Sequence, residues 1–462
     1  MSTRHAVLTR LRAARAHLAW LRGPWRDLAG AALVGALGAA VVEVFKRALF
    51  ALEYVFVGAQ GGHLVAAAQH LTTPTRVFAP AIGGFAAGLL LWLAERQYRS
   101  APLRHAGDYI EAVAIGRGRL DIRGGAIKVL ASLLVVCTGG AVGREGAMVL
   151  LSAMAASVIG RRIGGAVDLR LVVSCGAAAG LAAAYHAPLA SAMFVAEILL
   201  GSLALSRIGP VVVAAVISYG VTAALHGAPP PFTLPPLPQP GASQITLLLA
   251  LGLLGGIAGA GLLVWLTWAR SSFLKLAAPP PLAFALGGLV VGLLSLWRPE
   301  VWGNGYSSIQ GWLTGPGSWQ AVALVLVLKV IAVGATTGSG APGGVFTPTL
   351  FVGAAFGALF TAVLHALGAT AAVEPVYALL GMAVLLAATT HAPVMAALMV
   401  FEMTGQYHLL VAMLPACVLA TLLSQRLHAR SVYGIEHSDT TPRPGADRDH
   451  RRPAEVTAVT VR

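Results

Sequence analysis

Residues 139–159 have the sequence GGAVGREGAMVLLSAMAASVI, in which a carboxylate stands between glycines at the head of an apolar run. The first amide N–H groups of a helix have no intrahelical partner, and the helix dipole leaves partial positive charge there. Because hydrocarbon provides no water for these groups, an anion is expected against them. Glu145 can be this anion or can move aside for a small dissolved one. The stretch therefore predicts a gated anion site.

The composition of the 462 residues predicts a polytopic membrane protein. Hydrophobic residues make up 57% of the chain and charged residues only 11%, whereas about 25% of the residues in soluble domains are charged. The three cysteines lie singly in apolar runs without metal-ligand spacing. We therefore expect no metal, no cofactor and no disulfide framework.

The net charge of +14 is concentrated at the ends of the chain, which argues against nucleic acid as a partner. The basic residues at the N-terminus are Arg4, Arg10, Arg12, Arg15, Arg22 and Arg26, and those of the C-terminal tail include Arg448, Arg451 and Arg452. Basic residues that flank membrane segments mark the cytoplasmic side. The distribution therefore predicts that both termini are cytoplasmic.

Composition divides the chain into five predicted parts. They are a basic N-terminal segment (1–28), membrane repeat 1 (29–228), a proline-rich linker (229–242), membrane repeat 2 (243–434) and a polar cytoplasmic tail (435–462).

The two membrane parts contain a duplicated segment. Residues 176–197 align without gaps on residues 381–402, and 11 of the 22 positions are identical, including His-Ala-Pro and the final glutamate. A glycine-rich break lies upstream of each copy. Duplicated halves with broken helices are typical of transporters that bind their substrate between the repeats, near the membrane midplane. The repeat alone leaves open whether the halves are parallel or inverted.

A carboxylate in an apolar run is energetically unfavourable inside a membrane, so each one is a candidate functional residue. Glu197 and Glu402 end the duplicated segment, and we interpret them as structural residues that bond exposed backbone amides. Glu145 stands at a glycine-flanked helix start, and we interpret it as functional. The acidic residues that adjoin loop signals, and that we expect to be solvated, are Asp168, Glu300 and Glu374.

The second glycine-rich break, GGVFTP at residues 343–348, suits the same chemistry as the first. Its glycines allow close backbone approach, and a proline in the first helical turn removes no intrahelical donor. The amides of Val345 and Phe346 could then point at an anion. The alternative is an ordinary kinked helix; a phosphate-binding P-loop is disfavoured because no P-loop lysine follows.

GREG at 143–146, GGVFTP at 343–348 and the tyrosine of residues 431–433 resemble, in order and spacing, the motifs of the CLC family of chloride channels and proton-coupled chloride exchangers. The sequence is most similar to the bacterial ClcB-type voltage-gated chloride channel branch, and the resemblance covers residues 30 to 434. It implies an all-α polytopic protein with a CLC-type fold of two inverted repeats and many tilted and broken helices. It also implies a homodimer in the bacterial inner membrane, with one chloride pathway in each subunit.

The resemblance further implies roles for individual residues. Glu145 would be the extracellular gating glutamate, and the Tyr433 hydroxyl would be an inner constriction. The backbone amides that would line the chloride sites are those of Gly146, Ala147, Val345 and Phe346.

Two departures concern the anion path. Ala147 replaces the proline that follows this motif in the family, which should change local stiffness more than electrostatics. The family's Gly-Ser-Gly-x-Pro loop is not recognisable, and Arg104 falls near the position of its serine. Arg104 is either an anion-attracting residue or a basic loop residue near the cytoplasmic face. Selectivity among chloride, nitrate and fluoride therefore stays open.

A third departure concerns protons. Exchangers of the family usually carry two adjacent glutamates at the end of the first repeat, whereas Glu197 is followed here by Ile198. In those exchangers the second glutamate acts as the internal proton relay. Its absence favours a voltage- or pH-gated channel. The alternatives are a coupled chloride/proton antiporter and, from another class, a secondary transporter of larger anions. We do not expect an enzyme, because one isolated intramembrane glutamate does not supply a catalytic pair.

Overall fold

The computed structural model describes residues 2–60, 63–97, 109–114, 118–163, 168–201, 204–238, 241–315, 317–369 and 373–436. Within these ranges the secondary structure is helical, apart from one isolated backbone bridge. The α-helices are α1 (Ser2–Val57), α2 (Leu64–His70), α3 (Thr73–Gln97), α4 (Tyr109–Ala114), α5 (Ile122–Cys137), α6 (Glu145–Ile163), α7 (Leu169–Tyr185), α8 (Pro188–Phe194), α9 (Leu205–His226), α10 (Ala242–Lys275), α11 (Pro280–Leu294), α12 (Tyr306–Thr314), α13 (Trp319–Gly338), α14 (Phe346–Ala366), α15 (Glu374–Thr390), α16 (Pro393–Thr404), α17 (Leu410–Leu427) and α18 (Val432–Glu436).

Seven segments of the described chain are long and apolar enough to cross a membrane: Trp25–Val57, Thr73–Gln97, Arg207–His226, Gln244–Lys275, Trp319–Gly338, Phe346–Ala366 and Tyr407–Gly434. Other apolar helices, including α7, α11 and α15, have 10 to 17 residues, fewer than the roughly 20 that a full span needs. Their ends must therefore be covered by protein, and 15 of the 17 residues of α15 and 12 of the 17 residues of α7 are in fact buried. The prediction of an all-α polytopic protein with broken helices is confirmed.

The predicted N-terminal segment and linker are largely described, whereas the predicted tail lies outside the described residues from 437 onward. Residues 2–57 form one continuous helix, α1, which includes most of the predicted N-terminal segment and the beginning of repeat 1. Between α9 and α10, the described residues near the predicted linker are not helical.

The duplicated segment folds in the same way in both halves. His186 ends α7 with φ of 57°, and His391 ends α15 with φ of 60°. A left-handed residue after the last turn is a common helix stop. In both copies an alanine then precedes a proline in the first turn of the next helix, where its fixed φ is favourable.

The matched glutamate of each half caps a short helix of the other half. Each carboxylate accepts two hydrogen bonds from the first turn of the short helix in the other half, which confirms the predicted bonding of Glu197 and Glu402 to backbone amides. The donors are Val394 (3.2 Å) and Met395 (2.8 Å) for Glu197, and Leu189 (3.0 Å) and Ala190 (2.8 Å) for Glu402. In the alignment of the repeats, 189 corresponds to 394 and 190 to 395. Exchanging the two halves therefore leaves this set of contacts unchanged. Such a reciprocal arrangement requires an approximate two-fold axis between the halves.

Candidate anion site

The two glycine-rich breaks meet at the isolated backbone bridge. The Gly143 N–H donates to the Gly344 carbonyl at 2.7 Å, and the Gly344 N–H donates to the Gly143 carbonyl at 2.8 Å. This reciprocal pair joins the segment before α6 to the segment before α14. It therefore fixes the N-terminal ends of two helices from different halves beside each other.

Both helix ends have amides that precede the first intrahelical hydrogen bond. In α6 that bond runs from the Met148 N–H to the Arg144 carbonyl, at 3.3 Å; in α14 it runs from the Thr349 N–H to the Val345 carbonyl, at 2.9 Å. The amides before these bonds include those of Gly146, Ala147, Val345 and Phe346. Such amides and the two aligned helix dipoles favour negative charge in the space between the helices.

Glu145 is the first residue of α6 and supplies negative charge to this space. The residue is only 3% exposed, and its Oε2 atom is buried without a hydrogen-bond partner. A Cβ atom added at Gly143 would overlap with Oε2 and would lie 3.2 Å from the Gly344 carbonyl oxygen and 3.3 Å from Thr347 Oγ1. The carboxylate therefore lies against the backbone bridge, in the gap between the two helix ends.

The predicted site residues line one cavity of about 120 Å³, which we call the Tyr433 cavity. Its wall contains all six of them: Glu145, Gly146, Ala147, Val345, Phe346 and Tyr433. Tyr433 comes from α18, and its ring packs edge-on against Phe194 with 5.8 Å between ring centroids. The structure thus brings together residues that are up to 288 positions apart in the sequence, between Glu145 and Tyr433.

The same wall contains two residues that the sequence interpretation missed. Lys128 of α5 is the one lysine or arginine among the described residues that line the cavity. The Tyr185 hydroxyl shares a hydrogen bond of 2.9 Å with the Thr347 hydroxyl, and the Tyr185 ring lies 5.0 Å from that of Phe346. A charged residue in an apolar run is a signal that could have identified Lys128. Tyr185 carries no comparable signal.

Two other residues of the sequence interpretation are not part of the described wall. Arg104 lies outside the described residues. Glu197 lies in the described chain but is engaged by the first turn of α16, and Ile198 follows it without a second carboxylate. Among the described residues that line the Tyr433 cavity, Glu145 is therefore the only acid.

Comparison with known sequences gives one consistent result. A family model described as "Voltage gated chloride channel" matches residues 83–425. The chain is 46% identical over 413 residues to the "Voltage-gated ClC-type chloride channel ClcB" of Salmonella typhimurium, a match that covers 88% of this chain and 98% of the relative. It is 44% identical over 412 residues to the protein of the same name in an Escherichia coli O81 strain, with the same coverage.

Solved structures show the same fold at lower sequence identity. A slow cyanobacterial Cl⁻/H⁺ antiporter superposes with a TM-score of 0.73 and 23% identity, covering 88% of this chain and 96% of its own. A CLC-type fluoride/proton antiporter gives a TM-score of 0.70 and 20% identity, covering 89% of this chain and 97% of its own. The predicted CLC-type fold is confirmed by these superpositions.

Proposed function

The chain belongs to the CLC family of voltage-gated chloride channels and transporters, in its ClcB-type branch, and on this premise we propose that it is a chloride channel gated by Glu145. In its closed form the Glu145 carboxylate occupies the space between the ends of α6 and α14. Protonation removes its charge, the side chain leaves, and chloride binds the vacated amides. Chloride ions then leave for the Tyr433 side because neighbouring ions repel each other.

One observation supports this proposal above the others. A single buried carboxylate, without a hydrogen-bond partner on Oε2, lies between two helix ends whose first amides precede any intrahelical bond. A carboxylate that accepts a hydrogen bond on each oxygen is a structural cap, as Glu197 and Glu402 are. A weakly held one can exchange with a dissolved anion.

The test is Glu145→Gln, which removes the charge at nearly constant shape. At saturating chloride, efflux from proteoliposomes should persist and should lose its dependence on pH. Glu374→Gln is the matched control, because Glu374 lies at the start of α15, outside the Tyr433 cavity wall, and accepts a single bond of 3.4 Å from the Gly317 N–H. A Glu145→Gln protein with the wild-type pH dependence would refute the role of Glu145.

We propose channel activity rather than coupled exchange because the Tyr433 cavity offers one acid to a proton and Glu197 is occupied as a cap. The measurement is proton movement in proteoliposomes that carry an outward chloride gradient. A channel dissipates the gradient without moving protons against their own gradient. Uphill proton movement would instead establish the antiporter alternative.

We further propose a homodimer in the bacterial inner membrane with both termini in the cytoplasm. The proposal follows from the family and from the basic residues near the N-terminus. Light scattering of the detergent-solubilised protein would report the subunit number, and protease accessibility in oriented vesicles would report the side of the termini. Sulfate and carboxylate flux, measured beside chloride flux, would reveal transport of larger anions.

A further inference from the structure

Arg144 and Glu145 are consecutive, yet they line different cavities. Glu145 lines the Tyr433 cavity, whereas Arg144 lines a larger one of about 580 Å³. We call this second space the Arg144 cavity. Its wall is formed by the end of α1, the start of α2, the segment before α6 and the residues around the start of α12. The gating residue thus lies next, in sequence, to the only arginine among the described residues of this wall.

A buried acid, Glu53 of α1, shares the wall with Arg144. Glu53 is 1% exposed, and its Oε2 atom has no hydrogen-bond partner. It interacts electrostatically with Arg144. Phe50, one turn earlier on α1, lies 5.4 Å from the Arg144 guanidinium carbon, measured to its ring centroid. Because residues three apart share a helix face, the same face of α1 presents both side chains to Arg144.

The wall also contains hydrogen-bond donors that no described residue satisfies. Arg144 Nε and Trp302 Nε1 are buried atoms without a partner, and Trp302 is completely buried. A buried donor without an acceptor is unfavourable, so such atoms favour an acceptor in the cavity, either water or an anion. Next to an arginine, an anion is the acceptor that the charge favours.

Besides Glu145, which follows it in the sequence, Arg144 has several ionisable residues around it, and Glu53 is the one acid among the described residues of the cavity wall. The others are Cys137 at the end of α5, which interacts with Glu53; Lys46 on α1, which interacts with Arg144; exposed His63 before α2; and Tyr306 at the start of α12. The Lys46 ammonium is directed to the Ala183 carbonyl, at 2.8 Å. Glu53 is thus the acid among the described wall residues that can neutralise Arg144.

We propose that the Arg144 cavity is a second halide site and that Glu53 controls it. The ionised Glu53 carboxylate neutralises Arg144 and repels a halide. A proton taken from water makes Glu53 neutral, and Arg144 then holds a halide beside Glu145. This inference rests on the proposed function, because a halide at this position matters only if halide passes Glu145.

The experiment separates Glu53 from the gate by working in the Glu145→Gln protein. Chloride binding to the full-length protein in detergent is measured by titration calorimetry at neutral pH and at about pH 5, and chloride efflux is measured in parallel. In the Glu145→Gln protein, the half-saturating chloride concentration should be about threefold to tenfold lower at the acid pH, as expected when a neighbouring like charge is removed.

Adding Glu53→Gln should abolish the difference in half-saturating chloride concentration between the two pH values. The lower concentration should then be found at both. Adding Glu43→Gln is the matched control on the same helix, because the Glu43 carboxylate pairs with Arg47 and His226 rather than with Arg144. It should leave the difference intact. If the Glu53→Gln protein fails to fold, Arg144→Gln replaces it, and it should weaken acid binding to the neutral level.

The results that overturn the inference are distinct from failure of the proposed function. A pH-independent half-saturation in the Glu145→Gln protein, or a difference that survives Glu53→Gln, refutes control by Glu53. A difference that disappears with His63→Gln assigns the effect to the histidine and refutes it as well. An absence of chloride efflux in every variant refutes the proposed function itself.

Discussion

Gly143→Ala tests the gate without removing its acid. The added Cβ would overlap with Glu145 Oε2, while its distance to the Gly344 carbonyl oxygen would be 3.2 Å, a contact that a small backbone adjustment can relieve. The backbone bridge should therefore survive. The carboxylate, which is the far end of a flexible side chain, has to retreat by roughly 1 Å to reach ordinary van der Waals separation.

The expected magnitude follows from the position of the carboxylate at the helix ends. A partly buried anion at a helix N-terminus gains up to about 2 kcal/mol from it. Losing most of this gain corresponds to about a tenfold lower occupancy of the gap by the carboxylate, since about 1.4 kcal/mol is a factor of ten. The pH of half-maximal chloride efflux should then rise by about one unit.

The assay is chloride efflux from proteoliposomes across a pH series, with Gly220→Ala as the control. Gly220 lies within α9, and nothing is within 4 Å of a Cβ added there, so this control reports the general effect of a glycine-to-alanine change in a helix. A Gly143→Ala protein that folds, conducts and keeps the wild-type pH profile would refute the placement of the carboxylate in the anion path.

Three further predictions concern other charged residues. Glu402→Ala should lower the free energy of unfolding, measured by thermal unfolding, by about 2–4 kcal/mol, because two amides lose a charged acceptor. Glu402→Gln should lower it less. Glu374→Gln should lower it little, because Glu374 accepts one long bond. Lys329→Met should lower the unfolding temperature by several degrees, because the buried ammonium donates to three consecutive carbonyls of residues 301–303 at 2.9, 3.4 and 2.7 Å. Lys128→Gln should raise the half-saturating chloride concentration several-fold in efflux assays, because the Tyr433 cavity loses its cation; an unchanged value would exclude Lys128 from the anion path.

The sequence allowed much of the fold to be predicted, and the structure brings the described candidate site residues to one cavity. Repetition was the strongest signal, because a duplicated segment with a matched glutamate can be seen without any structure. The capping role of Glu197 and Glu402 followed from their duplication and is confirmed. Glu145 was selected because an acid between glycines at the start of an apolar run has few structural explanations.

Residues whose roles depend on distant partners could not be predicted in the same way. Lys329 is buried because the backbone turn at residues 301–303 folds over it, and no local sequence pattern predicts that turn. Tyr185 reaches the site by bonding Thr347, 162 residues away. Glu53 lies in α1, far in sequence from the glycine-rich breaks, and its proximity to Arg144 is a result of helix packing. In each case the missing information is a tertiary contact rather than a residue type.

The arrangement of carboxylates supports the proposal that the anion site lies at the N-termini of α6 and α14 rather than at those of α8 and α16. Each of these four helix N-termini favours a negative charge. Two of them, at α8 and α16, are satisfied by the fixed carboxylates Glu402 and Glu197. The other two, at α6 and α14, share the single carboxylate of Glu145, because the second break has Val345 and Phe346 where the first has Arg144 and Glu145. Because one acid serves two helix ends, a dissolved halide is small enough to take its place when the Glu145 side chain leaves, as proposed above.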